Sequence, residues 1–317
     1  MDAAAAGESR VRWGTAVALV IAVIWIRVFN PVPLVALPLG LLLLALPAAP
    51  RWKWIVMGAL IWFVGATFPG GPLVELSRDW ALLLGAGFLF ATLVRPRWAV
   101  LARALLALLI AAVGAAIWVG ITGRWAAIDA GVQKAMLDAL ALFMGALKEH
   151  GSDAAMVAQL GDTAKEAVDL QWRLFPSVLA LQSLAALALA SWAIARMSGG
   201  KALAFVLRPL REFRFGDQLV WVLVAGLLLV VLPVGDTGAR IGLNALVFMA
   251  GLYALRGVGI FLFLIGRAPS VLSVIFTVIA AIFLFPLFLA AAGFAMLLGL
   301  GDTWLDVRGR VTLAPPA

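Results

Sequence analysis

The sequence predicts an all-α fold, a polytopic transmembrane helical bundle of about nine spans (range about 8–10) with one amphipathic extracytoplasmic helical hairpin. Three observations predict it. Of 317 residues, 65% are hydrophobic and only 13% charged, and the mean hydropathy of +1.09 lies far above that of a soluble domain. Apolar runs of helix length alternate with short turns along almost the whole chain. Basic residues gather at every second turn, the signature of a chain threaded back and forth through a bilayer.

The first run is Gly14 to Phe29, preceded by Arg10 and Arg12. No small-residue cleavage site follows it, so it reads as a retained span rather than a removed leader. Asn30-Pro31-Val32-Pro33 breaks it from the second run, Leu34 to Pro47. The third, Trp54 to Phe68, is closed by Pro69-Gly70-Gly71-Pro72, and the fourth and fifth are Trp80 to Val94 and Trp98 to Thr122. After a polar interval come Leu174 to Met197, Leu219 to Val234 and Ile241 to Gly266. The last, Val271 to Leu300, is interrupted by Pro286 and reads as one kinked span. That reading leaves the tail outside; two half-helices would return Arg308 and Arg310 to the cytoplasm. Pro50-Arg51-Trp52 and Pro96-Arg97-Trp98 open two spans in the same way, as topology alone produces.

Arg10, Arg12, Arg51, Lys53, Arg95, Arg97, Arg103, Arg196, Lys201, Arg208, Arg211 and Arg214 all fall at alternate turns. Placing those turns in the cytoplasm puts the N-terminus there too, in a bacterial cytoplasmic (inner) membrane. The net charge of +8 is thereby used for topology and anionic lipid, with no nucleic-acid partner expected.

Four regions follow: N-terminal transmembrane helices over 1–122, an extracytoplasmic segment over 123–172, C-terminal transmembrane helices over 173–300 and a polar tail over 301–317. In the second region Ile128, Val132, Met136, Leu140, Phe143, Met144 and Leu147 recur at helical spacing. Gly151-Ser152-Asp153 breaks the pattern before a second amphipathic stretch through Met156, Leu160 and Val168. This is the predicted hairpin, a cap on the bundle or a partner-binding element.

No catalytic group is expected. Cysteine is absent and His150 is the single histidine, which removes thiolate and histidine metal sites, thiol catalysis and a serine–histidine dyad. Glu75, Asp79, Asp217, Asp236 and Asp302 sit at the ends of runs, so no carboxylate pair is expected in the membrane. Gly199-Gly200-Lys201 is too short for a phosphate loop. No cofactor is expected, and any ATP coupling would come from a separate ATPase or membrane subunit.

The candidate ligand site rests on polar residues inside apolar runs. Arg256 falls near the middle of the run between Arg240 and Arg267. An arginine there must face protein, water or an anion rather than lipid. Tyr253, the only tyrosine, shares its side of the helix, and Gln182 and Ser183 lie at comparable depth in the sixth run. With no carboxylate expected at that depth, Arg256 reads either as a cation awaiting an anionic or polar ligand or as a packing residue bonded to Gln182, carbonyls or a water. Gly242, Gly251, Gly257 and Gly259 leave room for a ligand or for close helix packing. Asn244, nearer the outer face, reads as a cap or an interhelical contact.

The second half also resembles the YybS-like bacterial membrane proteins, a domain of unknown function. The resemblance rests on Leu174-Phe175-Pro176-Ser177, on the aromatic-basic turn Phe213 to Trp221, on Asn244 through Tyr253-Ala254-Leu255-Arg256-Gly257, and on the tail Leu298 to Arg308. It implies a distant similarity to the S components of energy-coupling-factor transporters, which bind vitamins and borrow ATPases. The expected function is therefore non-enzymatic, transporter-like binding of a small molecule or lipid headgroup within the bundle. The alternative is a non-catalytic scaffold or envelope assembly factor that uses the hairpin.

Overall fold

The computed structural model describes residues 16–24, 30–45, 72–149, 154–198, 205–266, 285–306 and 308–310, with 56, 58, 274 and 277. Apart from those four positions, the third predicted span and the start of the final run lie outside the described residues, as do Arg10, Arg12, Arg51, Lys53, Lys201 and the hairpin tip. Among those described, regular structure is entirely helical. The helices are α1 (Pro31–Ala45), α2 (Pro72–Val94), α3 (Val100–Thr122), α4 (Trp125–Glu149) and α5 (Ala154–Arg173). There follow α6 (Phe175–Met197), α7 (Val220–Val231), α8 (Gly235–Ile265) and α9 (Phe285–Leu305).

Local chemistry sets the ends. The Val32 N–H donates to Asn30 Oδ1 at 3.0 Å while Pro31 opens α1, so the predicted breaker acts as a helix start. Gly123 and Gly266 end α3 and α8 at φ of 64° and 66°, a left-handed conformation that a side chain disfavours. At the α5–α6 junction, Pro176 sits in the first turn of α6 and Ser177 Oγ donates to the Leu174 carbonyl at 2.8 Å.

The core is built around α6, which packs on α1 and α3 in the N-terminal half and on α8 in the C-terminal half. Leu34, Leu42, Leu84, Phe88 and Leu187 fill the first side, all completely or almost completely buried. On the other side α8 is flanked by α7 and α9. The glycines predicted to leave room are spent on helix packing. A Cβ at Gly257 would fall on the Ala295 carbonyl, and one at Gly299 on the Tyr253 carbonyl. Gly242 meets the Gly226 carbonyl of α7, and Gly251 meets Leu181 of α6.

Five helices among the described residues are long and apolar enough to cross a membrane: Leu76–Val94, Val100–Thr122, Trp125–Glu149, Phe175–Met197 and Gly235–Ile265. Three shorter apolar helices, Pro31–Leu44, Asp217–Val231 and Ala290–Leu305, accompany them. The protein is thus a membrane-embedded helical bundle. One of the five is α4, the first arm of the predicted hairpin, so by length and composition it qualifies as a membrane span itself. The arms pair as expected, α4 on α5. Ile128, Val132 and Met136 pack on the core, while Phe143 of the same predicted stripe is exposed.

The tail corrects one expectation. Arg308 Nη1 donates to the carbonyls of Arg211 (3.0 Å) and Phe213 (3.1 Å), and Arg214 pairs with Asp306 at 2.8 Å. Asp306 and Arg308 therefore lie against the basic turn, on the face opposite to the one a single kinked span would reach; most of 267–284, where a preceding half-helix would run, lies outside the described residues.

Candidate functional site

Because α8 begins at Gly235, Arg256 stands about 9 Å beyond its midpoint, toward the basic turn, at about 1.5 Å per residue. Its side chain is paired, which overturns the expectation of a lone cation. Arg256 Nε donates to Asp302 Oδ2 at 3.0 Å and Nη1 to Asp217 Oδ1 at 2.8 Å. Asp302 is fully buried and also accepts from Arg308 Nη2 at 3.0 Å. Two arginines and two carboxylates make the knot, so its formal charge cancels. The Phe215 ring packs 5.4 Å from the guanidinium carbon and 5.1 Å, edge on, from the Tyr253 ring.

The four predicted ligand residues do not form one site. Tyr253 is fully buried beside Arg256, and its hydroxyl has no hydrogen-bond partner among the described residues. Gln182 points into the N-terminal half, where Nε2 donates to the Val23 carbonyl at 3.3 Å. Ser183 accepts the Trp80 indole N–H at 3.0 Å. Both serve the junction of α6 with the first helices, and Arg256 bonds to neither.

A second polar cluster, not foreseen, lies at the other end of α8. Arg240 grips Asp129 of α4 with both guanidinium nitrogens, at 2.7 and 3.0 Å. It also donates to the carbonyls of Trp172 (3.2 Å) and Arg173 (3.3 Å) and lies 4.7 Å from the Trp172 ring centre. The Trp172 indole N–H returns a bond to the Asp129 carbonyl at 3.1 Å. Asn244, one turn on, accepts from the Ser177 N–H at 2.9 Å and donates to the Arg173 carbonyl, the interhelical contact expected of it. A planar, five-donor guanidinium is suited to this fork. The sequence signal was there in Asp129 and Trp172 at the two ends of the hairpin, but nothing in it specified their partner.

Arg103, counted in the sequence only as a topology marker, is also wholly buried. Its guanidinium lies 5.0 Å from the Phe205 ring centre and 5.9 Å from that of Phe88, and Nη1 reaches Thr92 Oγ1 at 3.4 Å. It ties the start of the basic turn to α2 and α3.

Helices that hold Arg103, Arg240, Arg256 and Asp302 against polar and aromatic partners, while exposing leucine, valine and phenylalanine outward, define an integral membrane protein. The chain belongs to the family described as predicted membrane protein (DUF2232), whose model matches residues 13–303. No curated protein and no solved structure matches it.

Proposed function

We propose that the protein is a non-enzymatic membrane scaffold whose bundle holds the α4–α5 hairpin as a docking arm for another envelope protein. One observation carries this reading. The hairpin is fastened at its base by the Arg240–Asp129 fork, while toward the far end of α4 Leu142 is 77% and Phe143 59% exposed. An arm held stiffly at one end and apolar at the other suits presentation of a contact surface. In this reading the protein sits in a bacterial inner membrane, N-terminus and basic turn cytoplasmic and hairpin outside, as charge dictates. The test is a photo-crosslinking residue at 142 or 143 in the native host, with and without Arg240→Ala. A discrete protein adduct that disappears when the arm is unmoored supports the reading. Adducts to lipid alone, or none, refute it.

Tyr253 favours a second reading. A buried phenol without a hydrogen-bond partner among the described residues is a place where a small polar ligand would gain a bond. Small-molecule binding of this kind would follow the resemblance to YybS-like proteins and S components, with transport driven by a separate ATPase. Arg256, already neutralised by two carboxylates, would not be its anion receptor. Ligand-dependent thermal stability, lost in Tyr253→Phe, would mark it.

A further inference from the structure

The two sides of α8 measure the membrane differently. Exposed apolar residues mark both ends of α8, Ile241 at one and Leu255, Val258, Phe261, Leu264 and Ile265 at the other, with only buried or half-buried positions between them. From Ile241 to Ile265 is about 36 Å of helix at about 1.5 Å per residue, enough to cross hydrocarbon of about 30 Å with a tilt. The charged knot stops far short of this end. Arg256 lies about 13 Å before Ile265 by the same rise, and charged groups around it are open: Asp217 is 63% exposed, Asp306 61% and Arg214 46%.

The flanking helices agree with the shorter measure. The apolar run that includes α7, Leu219 to Val234, is about 16 residues or about 24 Å long, against the roughly 20 residues a span needs. It carries Trp221, Leu227, Leu228 and Val231 exposed along its length, so its outward face is a lipid face. In α9 the apolar stretch is broken at Asp302, within the knot, with only Trp304 and Leu305 exposed beyond it before the helix ends. Exposed carboxylates cannot face acyl chains. Water and headgroups must reach them at a depth where the far side of α8 is still apolar.

We propose that the bilayer surface on the basic-turn face dips to the charged knot, so that lipid is thinned by roughly 6 Å beside α7 and α9 while keeping its full thickness along the outer side of α8. The partner of this flank is a phospholipid layer drawn inward, headgroups meeting Asp217, Arg214 and Asp306, and shortened hydrocarbon meeting α7. An amphiphile bends to match because tilt cannot serve two lengths on one rigid pair of helices, and α7 is locked to α8 where Gly226 meets Gly242.

The chain has no cysteine, so single-cysteine variants of the full protein can be read without background. The probes are Gln218→Cys, exposed beside the knot, and Leu264→Cys, exposed near the end of α8. Both would be reconstituted in phosphatidylcholine nanodiscs, which leave both faces open to a water-soluble maleimide. The expected result is labelling at 218 at least tenfold faster than at 264, with fluorophores at 264 quenched by spin labels on the acyl chains. A second readout is the melting temperature of the unmodified protein, expected to fall as acyl chains lengthen from fourteen to twenty-two carbons. Labelling at 264 as fast as at 218 would mean that α8 ends in water and the surface is flat at the knot. Protection of both would put the knot in hydrocarbon. Either result overturns the proposal, as does a melting temperature indifferent to chain length.

Discussion

Replacing Asp302 by asparagine removes the one fully buried carboxylate to which two arginines donate. Arg308 keeps the Arg211 and Phe213 carbonyls, but Arg256 keeps only Asp217, which is too exposed to hold it strongly. Removing one partner from a buried charge pair costs about 3–5 kcal/mol, because the other charge stays desolvated. At about 2–4 °C per kcal/mol for chains of some 150–250 residues, the melting temperature should drop by roughly 10 °C. Scanning fluorimetry in one detergent, on wild type and variant side by side, gives the number. Asp217→Asn should shift it by no more than about a tenth of that, as an exposed pair does. The double variant Arg256→Met with Asp302→Leu should recover only part of the loss, since an apolar pair replaces the Arg256–Asp302 ion pair at little cost while Arg308 stays buried without its carboxylate. An Asp302→Asn protein that melts with wild type would refute the reasoning, since the knot would then hold nothing together.

Two further outcomes follow from the packing. Arg240→Lys keeps the charge but loses the fork on Asp129, so the hairpin should loosen and trypsin should cut at Lys134 or Lys148 several-fold faster; an unchanged digestion rate would mean the fork is ornamental. Gly257→Val drives a branched side chain onto the Ala295 carbonyl. It should destabilise by at least the ~1–3 kcal/mol typical of overpacking, seen as lower folded yield by size-exclusion chromatography, whereas Gly114→Val, facing open space but for Leu83, should leave the yield unchanged.

Much of the fold is written locally in the chain, and that part was legible. Asn30-Pro31 and Phe175-Pro176 start helices, Gly123 and Gly266 stop them, and Asn244 makes the interhelical contact its position suggested. Apolar periodicity drew the hairpin arms, because burial at 128, 132 and 136 recurs every turn. What stayed hidden is pairing across distance. Asp217 and Asp302 each stand at the end of an apolar run, and counting depth from the ends of the Arg240–Arg267 run kept both away from Arg256. The helix starts five residues earlier, and the turn before α7 folds back beside it, so both carboxylates arrive at the arginine. Likewise Gln182 and Arg256 share neither depth nor direction: Leu181 meets Gly251, five residues before Arg256, and α6 turns its glutamine toward Val23. Helix ends hidden in the sequence shift the depth, and azimuth between helices is not written in it at all.

The fork between Asp129 and Arg240 joins residues 111 positions apart, and that separation sets an order of events during synthesis. At about 5–20 residues per second, Asp129 waits roughly 6–22 seconds after its own translation before its clasp is made. Throughout that interval α4 and α5 stand on a half-built protein, their base unsecured and Asp129 without its arginine. Only when α8 enters the membrane does the clasp close. A chain stalled or truncated before that point would carry a swinging arm, recognisable to quality-control proteases by the looseness that the finished molecule lacks.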